Sequence, residues 1–132
     1  SIAAALRFPD RQVFSIVGDG GALMTGSELA TAVAQKTKIR VIVANNNHYG
    51  TIRYHQEVHF PTREHYATNL VNPDFAKYGE SFGLKCFRIH NTEEILPTIK
   101  SAMEVDGPSL IEFKMSLELN TSTTTISNLQ TN

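Results

Sequence analysis

A single cysteine, Cys86, is all the thiol chemistry available to this 132-residue chain. No internal disulfide can form, and one thiol cannot build a cysteine-based zinc site. A reducing, cytoplasmic compartment is the expectation. An excess of charge is also missing: 12 basic residues against 13 acidic ones leave a formal net charge of -1. That balance gives no electrostatic case for a nucleic-acid backbone or an anionic membrane as partner. Long apolar runs are absent. Runs such as Val41–Ala44 fall far short of the ~20 residues that cross a bilayer. No basic segment precedes the apolar start, Ser1 to Leu6, so it makes a poor signal peptide. The chain also lacks internal repeats and a Gly-x-x-x-x-Gly-Lys phosphate loop.

What is present can build a core: 41% of residues are hydrophobic and 19% charged, over a length that suits one domain, residues 1–132. The run 13–17 reads as a buried parallel strand, apolar on both faces. Gly18-Asp19-Gly20-Gly21 predicts a sharp end to it. Thr25 as cap with Glu28 reaching back predicts a helix to about Lys36, carrying Leu29, Ala32 and Val33 at helical spacing. A second β-rich run, 39–44, leads into Asn45-Asn46-Asn47-His48-Tyr49-Gly50. A short helix over 51–57 and a loop over 58–72 follow. Pro73 opens a helix with Phe75, Tyr78 and Phe82 on one face and Gly83 as its stop. A strand over 85–89, a helix over 92–105 capped by Thr92, with Pro97 near its start, and a strand over 109–115 complete the pattern. The tail, 116–132, is polar. It reads as a surface arm or as a segment docking on a part outside this chain. Strands alternating with helices predict an α/β fold, a doubly wound, mostly parallel sheet flanked by helices. Ligands in such folds gather at the carboxyl ends of the strands.

Both unusual polar clusters follow a strand directly. Gly18-Asp19-Gly20 sets one carboxylate among glycines whose backbone N–H groups can approach an anion. A helix N-terminus beyond it suits a phosphate, but Asp19 would repel one, so a cation must sit between them. Magnesium is the natural choice, taking carboxylate, amide or carbonyl oxygens together with phosphate oxygens. Asn46, at the end of the next strand, offers an amide oxygen, and the carbonyl of His48 a third ligand. Either cluster alone is usually a plain turn or a polar strand end; the pair at this spacing points to a cation bridging protein and diphosphate.

Gly18-Asp19-Gly20, then 24 residues, then Asn45-Asn46, resembles the diphosphate-binding signature of thiamine-diphosphate-dependent enzymes. Met24, Glu28-Leu29-Ala30-Thr31 and the strand before Asn45 resemble the acetolactate synthase, pyruvate oxidase and 2-oxo acid decarboxylase group. So does the linker Phe8-Pro9-Asp10-Arg11. Tyr49-Gly50-Thr51-Ile52-Arg53 with His55-Gln56-Glu57, and Thr123-Thr124-Thr125-Ile126-Ser127, are similar to an acetolactate synthase-like subset. The resemblance implies a single pyrophosphate-binding domain, the C-terminal portion of a larger enzyme, an expectation the non-Met start also favours. It implies thiamine diphosphate and Mg2+ as cofactors, with Asp19, Asn46 and the main-chain oxygen of His48 on the metal. Gly18, Gly20 and Gly21 would lie along the diphosphate, with Gly50 and Thr51 assisting. Gly21 departs from the Ser or Ala of many relatives, and Asn47 stands where others have Gly, Gln or Asp.

The implied chemistry is decarboxylation and carboligation of 2-oxo acids through a thiazolium ylid. The implied partners are a pyrimidine-binding domain, from the same or another subunit, which supplies the activating glutamate, and further copies in a homo-oligomer. No residue of this chain is assigned that glutamate's catalytic role, Glu28 and Glu57 included, and the chain alone is expected to be inactive. Two alternatives stand beside this: one subunit of a split 2-oxo acid decarboxylase, and a non-catalytic domain keeping the fold for assembly or regulation. His48, His55, His59 and His65 read first as solvated loop residues, with His55 best placed for substrate. Arg53 is a candidate for a carboxylate or a surface ion pair, and Cys86 reads as a buried small side chain.

Overall fold

The computed structural model describes residues 1–60, 63–119 and 125–130. Four strands, β1 (Val13–Gly18), β2 (Ile39–Asn45), β3 (Lys85–Ile89) and β4 (Ser109–Lys114), form one sheet in the order β1-β2-β4-β3, every pair parallel. The expected α/β architecture is present. The register sets Gly18 beside Ala44 and Ala44 beside Phe113, so β1, β2 and β4 end together.

The central strands carry the β-branched and aliphatic residues that a doubly covered strand needs. Ile39, Val43, Leu110 and Ile111 are all buried. Successive residues point to opposite faces. On the Leu110 face, Val43 and Leu110 pack with Ala22, Leu29, Phe75 and Leu84 into the main core. These come from α2 (Asp19–Thr25), α3 (Leu29–Ala34), α5 (Phe75–Ser81) and the turn after it. On the opposite face Ser109 donates to the carbonyl of Ala102 in α6 (Ile95–Met103), so helices lie on both sides.

Four local expectations are corrected. Gly18-Asp19-Gly20-Gly21 is not a turn: α2 starts at Asp19, with Gly18 as an extended N-cap. The reason is packing. A Cβ on Gly20 would lie 2.6 Å from the Tyr49 ring, and one on Gly21 2.8 Å from Val17. Thr25 caps nothing; its hydroxyl donates back to the Gly21 carbonyl, and Glu28 accepts from Thr31 instead of reaching back. Second, β1 is an edge strand, and Ile16 is 75% exposed on a face that no described helix covers. Third, the caps shift: Asp74 accepts from the Lys77 amide, leaving Pro73 just ahead of α5, and Asn91 rather than Thr92 accepts from Glu94 before α6. Fourth, the ends of the chain hold helices that the sequence reading did not foresee, α1 (Ile2–Arg7) and α7 (Ile126–Gln130). Buried Ile126 seats α7 against α4 (Gly50–His59), and the Ser127 amide and hydroxyl both donate to Glu118. Thr123 and Thr124 lie outside the described residues. No helix among the described residues is long and apolar enough to cross a membrane.

Candidate functional site

The site lies where β1 and β2 end. Asp19 follows β1 by one residue and Asn45 closes β2, so their strand register places them side by side. Asp19 is only 2% exposed. Its Oδ1 accepts from the Gly20 amide at 2.9 Å and its Oδ2 from Asn72 Nδ2 at 2.7 Å. The same Asn72 nitrogen donates to Asn45 Oδ1 at 2.9 Å and to Asn47 Oδ1 at 3.2 Å. One amide therefore gathers Asp19 and two of the three consecutive asparagines.

Asn46 is turned differently. Its Oδ1 accepts from the His48 amide at 3.0 Å, an Asx turn that holds its side chain against the His48 main chain. Among the described residues one lone pair of Asn46 Oδ1 has no partner, nor has one on the His48 carbonyl, which accepts from Gly50 at 2.9 Å. Asn47 sits at φ +57°, the left-handed region that Asn, Asp and Gly tolerate best. The Gly, Gln and Asp expected of relatives at this position fit that requirement in two cases out of three. Gly50 and Thr51 open α4 directly after this loop.

The histidine ring joins a second network. Arg53 Nη1 lies 3.2 Å from His48 Nε2; an arginine can only donate, so Nε2 accepts and Nδ1 carries the proton toward the Asn46 carbonyl at 3.3 Å. Arg53 also pairs with buried Glu57 at 3.5 Å, and His65 lies 3.8 Å from the same carboxylate. Arg53 is therefore turned toward its own helix. His55 and His59 are exposed and stack on each other, and among the described residues no hydrogen bond joins either side chain to the asparagine loop. The segment 63–72 straps across the site. Tyr49 donates to the Thr68 carbonyl, Leu70 to the Asn47 carbonyl, and Gln56 grips the Tyr66 main chain through both amide atoms.

Asp19 stands apart from the other buried carboxylates. Glu57 has Arg53, and Glu112 has Lys114 at 3.2 Å and Arg88 at 3.6 Å. Asp19 has no cationic partner among the described residues. A buried carboxylate without a counter-charge is costly, so this position suits a cation. The donors around it are one carboxylate with amide and main-chain oxygens, the set a hard divalent ion takes. No group of three His, Cys, Asp or Glu among the described residues offers a softer site. The sequence pointed to Asp19, Asn46 and His48 as ligands and named Asn45 and Asn47 without a role; it gave no sign of Asn72 or of Glu112, whose Oε1 accepts from Asn45 at 2.8 Å.

The family described as "Thiamine pyrophosphate enzyme, C-terminal TPP binding domain" matches residues 1–113. The chain is 36% identical over 123 residues to the 3D-(3,5/4)-trihydroxycyclohexane-1,2-dione hydrolase of Bacillus subtilis (strain 168), covering 87% of this chain and 19% of that protein. It is 34% identical over 119 residues to the acetolactate synthase large subunit of Corynebacterium glutamicum, covering 86% and 19%. Among solved structures, the thiamine diphosphate-dependent 4-hydroxybenzoylformate decarboxylase of Rhodococcus jostii RHA1 superposes with a TM-score of 0.80 at 30% identity, over 87% of this chain and 22% of that one. The chain thus spans about a fifth of the length of these relatives.

Proposed function

This chain belongs to the thiamine pyrophosphate enzymes as their C-terminal TPP binding domain, and on that premise we propose that it holds thiamine diphosphate through a bridging magnesium ion. Asp19, Asn46 and the main-chain oxygen of His48 are the ligands in this reading. The observation that carries it is the buried Asp19 carboxylate, unmatched by a cation among the described residues while Glu57 and Glu112 are matched. The whole enzyme is an acetolactate synthase-like catalyst acting on 2-oxo acids, a reading the acetolactate synthase and decarboxylase relatives favour. It is completed by a pyrimidine-binding domain and works as a homo-oligomer.

Thiamine diphosphate, when bound, supplies the electron sink for cleaving a carbon–carbon bond next to a carbonyl. The chain's own residues bind and orient. Asp19 supplies the charge that holds the cation, and the Asx turn at Asn46 fixes the second and third oxygens in one loop. Gly20 lets the Tyr49 ring close over the start of α2, and the 63–72 strap holds the asparagine loop through its main-chain bonds to Asn47 and Tyr49.

The test is a thermal melt with magnesium alone, thiamine diphosphate alone and both, the pyrimidine-binding partner being present. At about 100 times the dissociation constant a ligand adds roughly 2.7 kcal/mol to the native state. The expected rise needs both ligands and disappears in Asp19→Ala. A full rise without magnesium, or one that survives in Asp19→Ala, refutes the bridged site.

A further inference from the structure

Asn72 reaches the site from the end of the strap, 53 residues away from Asp19 in sequence. Its Nδ2 faces three oxygens, Asp19 Oδ2, Asn45 Oδ1 and Asn47 Oδ1, at 2.7, 2.9 and 3.2 Å. Its own Oδ1 is buried with no hydrogen-bond partner among the described residues. An amide that leaves its oxygen unsatisfied in order to turn its nitrogen inward is oriented by its acceptors, since buried polar atoms are otherwise almost always paired. The side chains that it joins flank Asn46 on both sides, and one of them is the carboxylate itself. Asn45 is held from behind as well, through its bond to Glu112. Asn47, in a left-handed conformation, has only this contact among the described residues and the turn to define its side chain.

We propose that Asn72 is a positioning residue for the cation, a clamp outside the ligand set that fixes the Asp19 carboxylate relative to the Asn45–Asn47 loop. It rests on the reading of Asp19 as a cation ligand. Groups that orient metal ligands without touching the metal commonly change its affinity by about 10- to 100-fold when removed. Asn72 does so across two strands, because no other described side chain bonds to both the β1 end and the β2 end. The strap thereby becomes part of the metal site, although it contributes no ligand.

The experiment compares the wild-type protein with Asn72→Leu, Asn72→Ala, Asn72→Gln and Asp19→Ala, each with its pyrimidine-binding partner. Magnesium is titrated at fixed excess thiamine diphosphate, with melting temperature as the readout, and binding of Mn2+ is followed separately by its electron paramagnetic resonance signal. Leu keeps nearly the shape of Asn and loses the donor; Gln keeps the donor on a longer arm. The expected result is a half-saturating magnesium concentration about 10- to 100-fold higher in Asn72→Leu and Asn72→Ala, partly recovered in Asn72→Gln. A lower metal-free melting temperature with unchanged half-saturation would make Asn72 merely structural and overturn the inference. Tighter magnesium binding in Asn72→Ala would also overturn it, since the amide would then be competing for the cation's place. Magnesium dependence retained in Asp19→Ala refutes the cation reading itself, and is distinguished by that variant alone.

Discussion

Replacing Arg40 with methionine tests whether the fold and the site are separable. Arg40 is fully buried at the start of β2. Its Nε donates to Gln12 Oε1 at 2.8 Å, Nη2 to the carbonyls of Met103 at 3.2 Å and Val105 at 2.8 Å, and Nη1 to the carbonyl of Gly107. No carboxylate pairs with it among the described residues, and burial pushes its guanidinium below its usual value. The charge is held by oxygen dipoles at the C-terminal end of α6, where helix carbonyls lack partners of their own. In Arg40→Met the Met103 carbonyl is near the surface and can turn to water. The carbonyls of Val105 and Gly107 are less accessible, and each unsatisfied group costs about 1–3 kcal/mol. Relief from burying a guanidinium offsets part of that. The net is a loss of roughly 2–4 kcal/mol, or about 6–20 °C in melting temperature for a domain of this length. Urea and thermal melts of the metal-free protein measure it. Arg40 stands five residues before Asn45, about 16 Å along the strand, so magnesium half-saturation should not change. A variant as stable as wild type would refute the view that the guanidinium organises the α6 end. A shifted half-saturation would refute the separation of the two ends.

Two further outcomes follow from local electrostatics. Burial, with Glu80 adding to it, pushes the Cys86 thiol up to about 11, so iodoacetamide should label the folded protein slowly at pH 8 and faster only as the pH approaches that value; rapid labelling at pH 7 would contradict the packing against Gly79 and Leu84. The Asp74 carboxyl is held below its usual 3.8 by the Lys77 amide and then by Arg88. A depressed carboxyl stabilises the fold above its unfolded value and loses that contribution as pH falls through the folded one. Acid melts between pH 5 and about 2 should therefore be steeper in wild type than in Asp74→Asn, and identical slopes would show that neither the Lys77 amide nor Arg88 holds the carboxyl down.

The elements that sequence reading located best are those whose composition matches their burial. The runs 39–45 and 109–114 set aliphatic residues on both faces because both faces are covered, and Val43 and Ile111 are almost wholly buried. The run 13–18 has the same composition, yet its outer face is open in this chain, since a strand's residues state what they tolerate and not what lies over them. The start of α2 was hidden by propensity. Glycines argue for a turn, and here they are helical because Tyr49 and Val17 leave no room for a Cβ. Asp19 and Asn46 were legible because each follows a β-rich run at the edge where such sheets bind ligands. Asn72 and Glu112 were not. Their partners lie 53 and 67 residues away, and nothing local separates a bridging asparagine from one that caps a loop.

The choice of asparagine for these bridges has a consequence for charge. From Asp19 the hydrogen bonds run through Asn72 to Asn45, then to Glu112, which meets Arg88, which holds Asp74 two residues beyond Asn72. The path returns to the strap it left, so the end of the strap is fixed from both sides. Within it, Glu112 and Asp74 share the cations Arg88 and Lys114. An amide both donates and accepts, so Asn72 and Asn45 join one carboxylate to another without adding a charge. A lysine or arginine at position 72 could satisfy the same oxygens, but it would neutralise Asp19 and compete with any incoming cation. The neutral amides leave the carboxylate oriented and its charge uncancelled, and that is the condition for an acidic side chain at the head of a helix to attract a divalent ion.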